Sequence, residues 1–166
     1  MTKHKPMKPF KHLHNRTLGI TLLAMVIALS SACGNKLIRG ASPMVRMTEL
    51  SHKDDTINLQ VSIRNLNGVD LDVLAADLTI LAENGELLSY RGPVNLNIVA
   101  NGTESWSVDV DESENSKQLL DQLEKGDVKS LPYTLKGSVT SREDGLLRFE
   151  YEGHIYPLPG RPGHFR

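Results

Sequence analysis

Residues 56–64 read TINLQVSIR, and this stretch decides the fold. Polar residues alternate in it with apolar residues, which stand at Ile57, Leu59, Val61 and Ile63. Successive side chains of a β-strand point to opposite faces of the sheet, so a period of two gathers the apolar side chains on one face. The stretch therefore predicts a strand with one buried face and one face in water.

The same alternation extends outward from this strand in both directions. It is imperfect in Met44–His52 and resumes in Leu71–Glu83. Asn84-Gly85 and Asn101-Gly102 are each predicted to close a hairpin, because type I′ turns need a positive φ at both central residues. Gly92-Pro93 is expected to break the chain between two strands.

One segment has a helical period instead. We predict a helix over Glu114–Lys125, since Leu119, Leu120 and Leu123 share one helical face and Gly126 supplies a stop. About seven short alternating strands, separated by Gly and Asn turns and joined by this one helix, are typical of an antiparallel β-sandwich. The predicted fold class is therefore all-β.

The first 32 residues have the pattern of a signal peptide. Residues 1–16 are basic, residues 17–29 are uncharged and mostly apolar, and residues 30–32 are small. The apolar run is shorter than the roughly 20 residues that a membrane-spanning helix needs. We therefore expect this segment to be removed after export.

The junction at residues 29–34, LSSACG, resembles a bacterial lipobox, although Ser30 stands where Leu is usual. The resemblance implies that the thiol of Cys33 receives a diacylglyceryl group and that the chain is cleaved between Ala32 and Cys33. Membrane lipid is thus the predicted partner, through acylated Cys33. Gly34, where Asp would retain the protein in the inner membrane, favours an outer-membrane anchor facing the periplasm. Cys33 is the only cysteine, so no intrachain disulfide can form.

Four regions follow from these patterns. Residues 1–32 are the signal peptide, 33–43 a lipidated tether, 44–156 a β-sandwich, and 157–166 a Pro/Gly-rich tail expected to be a solvated terminus. Residues 33–166 hold 14 basic and 20 acidic side chains, a net charge of −6. Phosphate binding needs clustered Lys and Arg, so no nucleic-acid partner is predicted.

The run from residue 57 to residue 110 resembles the late embryogenesis abundant type 2 family, also called the water stress and hypersensitive response (WHy) domain. The match carries the motif Asn65-Leu66-Asn67 where the family usually has Asn-Pro-Asn, so the φ that proline fixes is lost. The similarity extends over about residues 44–156. It implies an immunoglobulin-like or fibronectin III-like sandwich with one helix and a non-enzymatic role in dehydration or related stress.

No catalytic, cofactor or metal site is predicted. Beyond the signal peptide, the histidines lack metal-ligand spacing and are expected at the surface, at His52, His154 and His164. Asp109–Ser113 is similar to the start of a calcium-binding loop. A calcium site is not predicted there, because Glu114 stands where the loop needs Gly and Leu120 where it needs Glu. Trp106 lies on the same face as the apolar residues that alternate after it in the strand, and it is expected in the core.

The predicted function is that of a membrane-anchored envelope lipoprotein with a binding or protective role in desiccation or related stress. The alternative is an accessory structural subunit of an envelope assembly or transport complex, with an unidentified envelope protein as partner. An enzyme of unfamiliar type is the third reading.

Overall fold

The computed structural model describes residues 39–83 and 85–166. The predicted signal peptide, the cleavage site at Ala32, the acylated Cys33 and residue Asn84 of the predicted hairpin lie outside the described residues. Within them the chain forms eight strands and one helix: β1 (Met44–Lys53), β2 (Thr56–Arg64), β3 (Leu71–Ala82), β4 (Gly85–Ile98), β5 (Thr103–Asp111), α1 (Glu114–Lys125), β6 (Leu131–Ser141), β7 (Gly145–Ile155) and β8 (His164–Phe165).

The strands form two antiparallel sheets of four strands each. Sheet A has the order β5-β2-β1-β8, and sheet B has the order β4-β3-β6-β7. The two sheets enclose one hydrophobic core. The prediction of an antiparallel β-sandwich with one short helix is confirmed.

Strand β2 has the bounds and the buried face that its alternation predicts. Ile57, Leu59, Val61 and Ile63 are each 0% exposed. They belong to one core cluster with buried residues of sheet B, among them Leu78, Ile80 and Leu135. Full burial of an aliphatic side chain of this size contributes about 1.5–3 kcal/mol, so β2 is a main source of the stability of the sandwich.

A β-bulge in β3 explains why the alternation there changes phase. Val73 pairs with Ser141 and Ala75 pairs with Thr140, which leaves Leu74 as an extra residue. An extra residue shifts the following side chains to the opposite face. The buried residues are therefore odd-numbered before the bulge and even-numbered after it, at Leu71, Val73, Ala76, Leu78, Ile80 and Ala82. A similar shift beside Thr48 produces the imperfect pattern of β1.

The expected chain break at Gly92-Pro93 is wrong, because β4 runs through both residues without interruption. Strand β4 lies at the edge of sheet B, so only one of its two sides pairs with another strand. Proline is tolerated in an edge strand because the N–H that it lacks would have no strand partner on the unpaired side. The hydroxyl of Tyr90 donates to the Pro93 carbonyl at 2.8 Å and lies over Gly92. A side chain at Gly92 would collide with that ring.

The two turn predictions have different outcomes. A hairpin does join β3 to β4, but Gly85 is not one of its turn residues: it begins β4 and pairs with Ala82, so the turn lies one residue earlier than predicted, with the positive φ of 50° at Glu83. Asn101-Gly102 is a turn, with Asn101 at φ 58° and the Gly102 N–H donating to the Val99 carbonyl at 2.8 Å. It does not close a hairpin, because β4 belongs to sheet B and the following strand β5 belongs to sheet A.

Helix α1 has the predicted bounds and closes one end of the sandwich. The Ser113 hydroxyl accepts from the Ser116 N–H at the first turn, and Gly126 ends the helix at φ 78°. Leu119, Leu120 and Leu123 are buried in the core. The helix connects β5 of sheet A to β6 of sheet B.

The expected solvated terminus is wrong for the last residues. Strand β8 pairs with β1 through Leu50–Phe165 and Ser51–His164, and Phe165 is 1% exposed. The Tyr156 and Arg166 backbones exchange two hydrogen bonds, which fold the segment between them back onto the sheet. A single buried aromatic residue therefore docks a segment whose Pro and Gly content suggests a free tail.

We expect Phe165→Ala to lower the free energy of unfolding by about 3–5 kcal/mol, the usual cost of truncating a buried aromatic side chain. Urea unfolding followed by Trp106 fluorescence measures it. Tyr156→Ala is the matched control, because that side chain is 48% exposed, and its expected change is below about 0.5 kcal/mol. Equal stability of both variants with the parent would contradict the docked C-terminus.

Candidate functional site

The two ends of the sandwich differ in construction. The end at which residues 39–43 lead into β1, here called the entry end, is formed by the connections at residues 65–70, 99–102 and 142–144. The opposite end, here called the helix end, is covered by α1. The connections through residues 65–70 and 99–102 both pass from one sheet to the other at the entry end, while α1 and the segment between β7 and β8 make the crossings at the helix end.

Asn65 is the central polar residue of the entry end. Its side chain is fully buried, and its amide NH₂ lies 2.8 Å from the carbonyl oxygen of Val69, 3.1 Å from that of Ile98 and 3.2 Å from that of Val99. Its backbone N–H donates to the Gly102 carbonyl at 2.9 Å. Buried backbone carbonyls need donors, and this one side chain supplies them to both sheet-to-sheet connections.

Asn67 extends the same network to the segment that precedes β1. Its backbone N–H and its amide both donate to the Asn65 side-chain oxygen, at 2.9 and 3.1 Å. Its side-chain oxygen accepts from the Ala41 N–H at 2.8 Å, and its amide donates to the Ala41 carbonyl at 3.2 Å. The paired bonds to one residue hold the chain before β1 against the sandwich as a short strand partner would.

The structure thus brings two of the three motif residues together and leaves Leu66 between them exposed. The Asn motif was the signal that pointed to this place in the sequence. Ala41 and the carbonyls of Ile98 and Val99 carried no signal, because any residue type offers the same backbone groups. The predicted lipidation and cleavage residues, Cys33 and Ala32, lie outside the described residues and stay predictions.

Exposed apolar side chains are concentrated at the entry end. Five large hydrophobic side chains of the described residues are exposed, and four of them lie at or beside this end: Met44, Leu66, Val99 and Leu146. We call these four residues the apolar rim. The fifth, Tyr156, follows β7 near the helix end.

The outer face of sheet A is rich in hydroxyl and amide groups. Its central cross-strand pairs join β2 to β5, at Asn58–Asp109, Gln60–Ser107 and Ser62–Ser105. The Asn58 amide donates to the Asp109 carboxylate at 2.7 Å, while Gln60, Ser105 and Ser107 are exposed. Apart from the Asp109 carboxylate, these side chains are uncharged donors and acceptors that can hydrogen-bond to another hydroxyl-rich or polar surface.

The helix end is acidic. Residues 109–129 hold seven acidic and three basic side chains. One of the cations, Lys117, donates to Asp55 at 3.3 Å, and this hydrogen bond and the charge of Asp55 raise the pKa of the Lys117 ammonium. Asp121 accepts from Lys125 at 3.0 Å, which lowers the pKa of the Asp121 carboxyl. The remaining carboxylates leave this end with a net negative charge.

Two of the three histidines depart from the expected surface placement. His52 is partly buried between two carboxylates, with Nδ1 3.3 Å from Glu112 and Nε2 3.4 Å from Glu124. His164 is partly buried as well, with Nδ1 2.9 Å from Glu49. The docking of β8 onto β1 causes both departures, because it covers the surface on which these rings lie. His154 is exposed, as predicted.

The structure also tests the interpretation of Asp109–Ser113 and the predicted core position of Trp106. Asp109–Ser113 spans the end of β5 and the start of α1, as predicted. In residues 39–83 and 85–166 no group of three or more metal-ligating side chains converges. Trp106 packs on the edge of the core and is half-buried, with its ring 6.4 Å from that of Tyr90, because β5 is the outermost strand of sheet A.

Two open grooves lie on the surface of sheet B. One, lined by Tyr133, Glu152 and His154 among others, has a volume of about 580 Å³. Burial raises the pKa of the Tyr133 hydroxyl to about 12. None of the helices in the described part of the chain is long and apolar enough to span a bilayer.

The fold and the entry end define a class of protein: an antiparallel β-sandwich whose two sheets are joined through a buried Asn pair and whose preceding chain is bonded to that pair. No family model matches the chain, and no curated protein matches it.

Several solved structures resemble it at low sequence identity. The Arabidopsis thaliana protein AT1g01470 is 14% identical with a TM-score of 0.47, over 78% of this chain and 91% of that one. A protein provisionally assigned to the late embryogenesis abundant class, At2g46140.1, is 13% identical with a TM-score of 0.42, over 86% of each chain. A protein from Archaeoglobus fulgidus is 11% identical with a TM-score of 0.43, over 71% of this chain and 98% of that one.

We expect Asn65→Asp to lower the free energy of unfolding by about 3 kcal/mol or more near pH 7, because it places a carboxylate against three carbonyl oxygens. The introduced group favours its protonated form in the folded state, so the loss should shrink as the pH falls through the acid range. Urea unfolding at several pH values measures both effects.

Asn95→Asp is the matched control, since Asn95 is exposed and sits at φ 55°, which Asp also tolerates. Its expected effect is within about 0.5 kcal/mol. An equally small effect at Asn65 would show that the buried network is dispensable.

Proposed function

We propose that this protein is a bacterial envelope lipoprotein, anchored through acylated Cys33, with a non-enzymatic binding or protective role under desiccation or related stress. The main support for the anchor is the lone cysteine that follows the leader. That leader is first basic, then apolar, and ends in small residues. A signal peptide followed at once by a lipidated cysteine leaves the sandwich outside the cytoplasm and tied to a membrane. The Gly at position 34 supports the outer membrane as the site of the anchor.

The architecture of the entry end supports the anchor. A tethered domain needs a defined point at which the tether leaves it, and the double hydrogen bond between Ala41 and Asn67 supplies that point. Motion of the chain that precedes Ala41 is then resisted by the hydrogen bonds of the Asn network, and the first core residues of β1 are not disturbed.

The protective role is supported by the resemblance to the late embryogenesis abundant type 2 family and by the outer face of sheet A. When water is removed, polar surfaces lose hydrogen-bond partners that another polar surface can replace. The uncharged amides and hydroxyls of β2 and β5 offer such replacements on the outer face of sheet A. The proposed ligands are hydroxyl-rich or polar surfaces of the envelope.

We expect the protein extracted from membranes of a Gram-negative host to have the mass of residues 33–166 plus three acyl chains with a glyceryl linkage. A single acyl chain binds a bilayer only marginally, whereas several chains on one residue hold it firmly. Intact-mass spectrometry measures the product. A Cys33→Ser variant that is cleaved at the same bond and still sediments with membranes would contradict the anchor.

The protective role is tested by the survival of a deletion strain after drying and after osmotic shock. Loss of survival in the deletion strain, restored by the wild-type gene, is the expected result. The double variant Gln60→Ala with Ser107→Ala, a facing pair on sheet A, should restore less. Thr134→Ala with Glu152→Ala, a facing pair on sheet B, is the matched control and should restore fully. Unimpaired survival of the deletion strain would refute the role.

The second candidate function is an accessory subunit of an envelope assembly, and the acidic helix end favours it. The carboxylates of residues 109–129 are complementary to a basic partner surface. Pull-down from detergent-solubilised membranes separates the two functions, because an assembly subunit brings down a stoichiometric partner whose retention falls with added salt.

A further inference from the structure

Two residues of the apolar rim lie next to or within the buried Asn network. Leu66 lies between the two buried Asn residues, and the carbonyl of Val99 accepts from the Asn65 amide. Val99 is 58% exposed and Leu146 is 57% exposed, so neither contributes much to the core. A rigid backbone that presents apolar side chains to the outside is the usual sign of a contact surface.

The charge distribution gives the sandwich a polarity along its long axis. The segments of the entry end, residues 39–43, 65–70, 99–102 and 142–144, hold two basic and three acidic side chains. Residues 109–129 at the helix end carry a net charge of −4. Near an anionic surface the helix end is repelled and the nearly neutral entry end is not, within the screening length of about 8–10 Å.

The length of the tether brings the apolar rim close to the anchor. Eight residues lead from Cys33 to Ala41, and a fully extended chain spans at most about 3.3–3.6 Å per residue. Ala41 would therefore lie within about 29 Å of the acylated residue, and the Ala41–Asn67 bonds fix which end of the sandwich is nearest. A coiled tether shortens this distance further.

We propose that the apolar rim rests on the bilayer that holds acylated Cys33, so that the sandwich stands on its entry end with α1 pointing away from the membrane. This proposal rests on the lipoprotein function proposed above. Met44, Leu66, Val99 and Leu146 enter the headgroup layer, and the outer face of sheet A stands roughly upright beside the bilayer. The partner is a lipid surface, recognised by apolar contact with little contribution from charge.

Site-specific fluorescence on the full lipidated protein tests this orientation. Val99→Cys and, separately, Leu146→Cys are labelled with an environment-sensitive fluorophore, since the acylated sulfur of Cys33 does not react. The protein is reconstituted into vesicles of phosphatidylethanolamine and phosphatidylglycerol containing a lipid with a nitroxide high on its acyl chain. Tyr156→Cys is the control, because it is 48% exposed and lies near the helix end.

Labels at positions 99 and 146 are expected to be quenched about twofold or more by the nitroxide lipid. A side chain buried in the interface lies about 5–10 Å deep, which brings it close to a nitroxide high on the acyl chain. The label at position 156 should be unaffected. Two labelled positions guard against one variant that folds poorly, since both side chains are exposed.

Other outcomes overturn the proposal in distinguishable ways. If the protein floats with the vesicles but the labels at positions 99 and 146 are not quenched, the anchor is present and the apolar rim does not contact the bilayer. Protein that does not float with the vesicles lacks the anchor, and both proposals fall. A blue shift at position 99 that is insensitive to nitroxide lipid and lost on dilution of the protein in the vesicles would assign the apolar rim to a second copy of this chain.

Discussion

The buried side chain of Asn65 is the constraint on which the entry end depends. A β-sandwich must carry its chain from one sheet to the other, and backbone groups at such crossings lose their sheet partners. Here the β2–β3 and β4–β5 crossings run side by side, and one amide donates toward carbonyls of both. The bond to the Ile98 carbonyl is buried, and an unsatisfied carbonyl there would cost about 1–3 kcal/mol. The network therefore fixes the spacing of the sheets at this end.

That constraint also gives the two ends of the molecule different properties. The helix end is closed by an amphipathic element and carries a surplus of carboxylates, so it is suited to water or to a basic partner. The entry end is closed by hydrogen bonds within loops, which leaves the tips of those loops free to expose apolar side chains. Attachment of the preceding chain to Asn67 makes the second end the one nearest to any anchor upstream.

Local signals in the sequence predicted the elements whose causes are local. Helix α1 has an apolar face and a terminal Gly close together in the sequence, and its predicted bounds match. The prediction failed where the cause lies in a distant strand. Pro93 is accommodated because β4 has a partner on one side only, and Asn101-Gly102 joins two sheets because β5 pairs with β2.

The candidate site divides in the same way. The Asn motif directed attention to residues 65 and 67, but their bonds to Ala41 and to the β4–β5 crossing depend on folding. Apolar residues at the entry end gave no signal either, because Val99 and Leu146 resemble core residues in the linear sequence. The bulge at Leu74 hid the phase of β3, since one extra residue exchanges the buried and exposed positions that follow it.

The docking of β8 also bears on how the protein behaves at high concentration. Strand β1 would otherwise end sheet A with a row of unpaired backbone groups, which can template the addition of a strand from another molecule. His164 and Phe165 occupy part of that row, and the Arg46 guanidinium, 5.1 Å from the centre of the Tyr151 ring, places a charge beside the remainder. Residues 157–166 thus cover part of the exposed edge of β1, which keeps neighbouring molecules at high concentration from joining sheet to sheet.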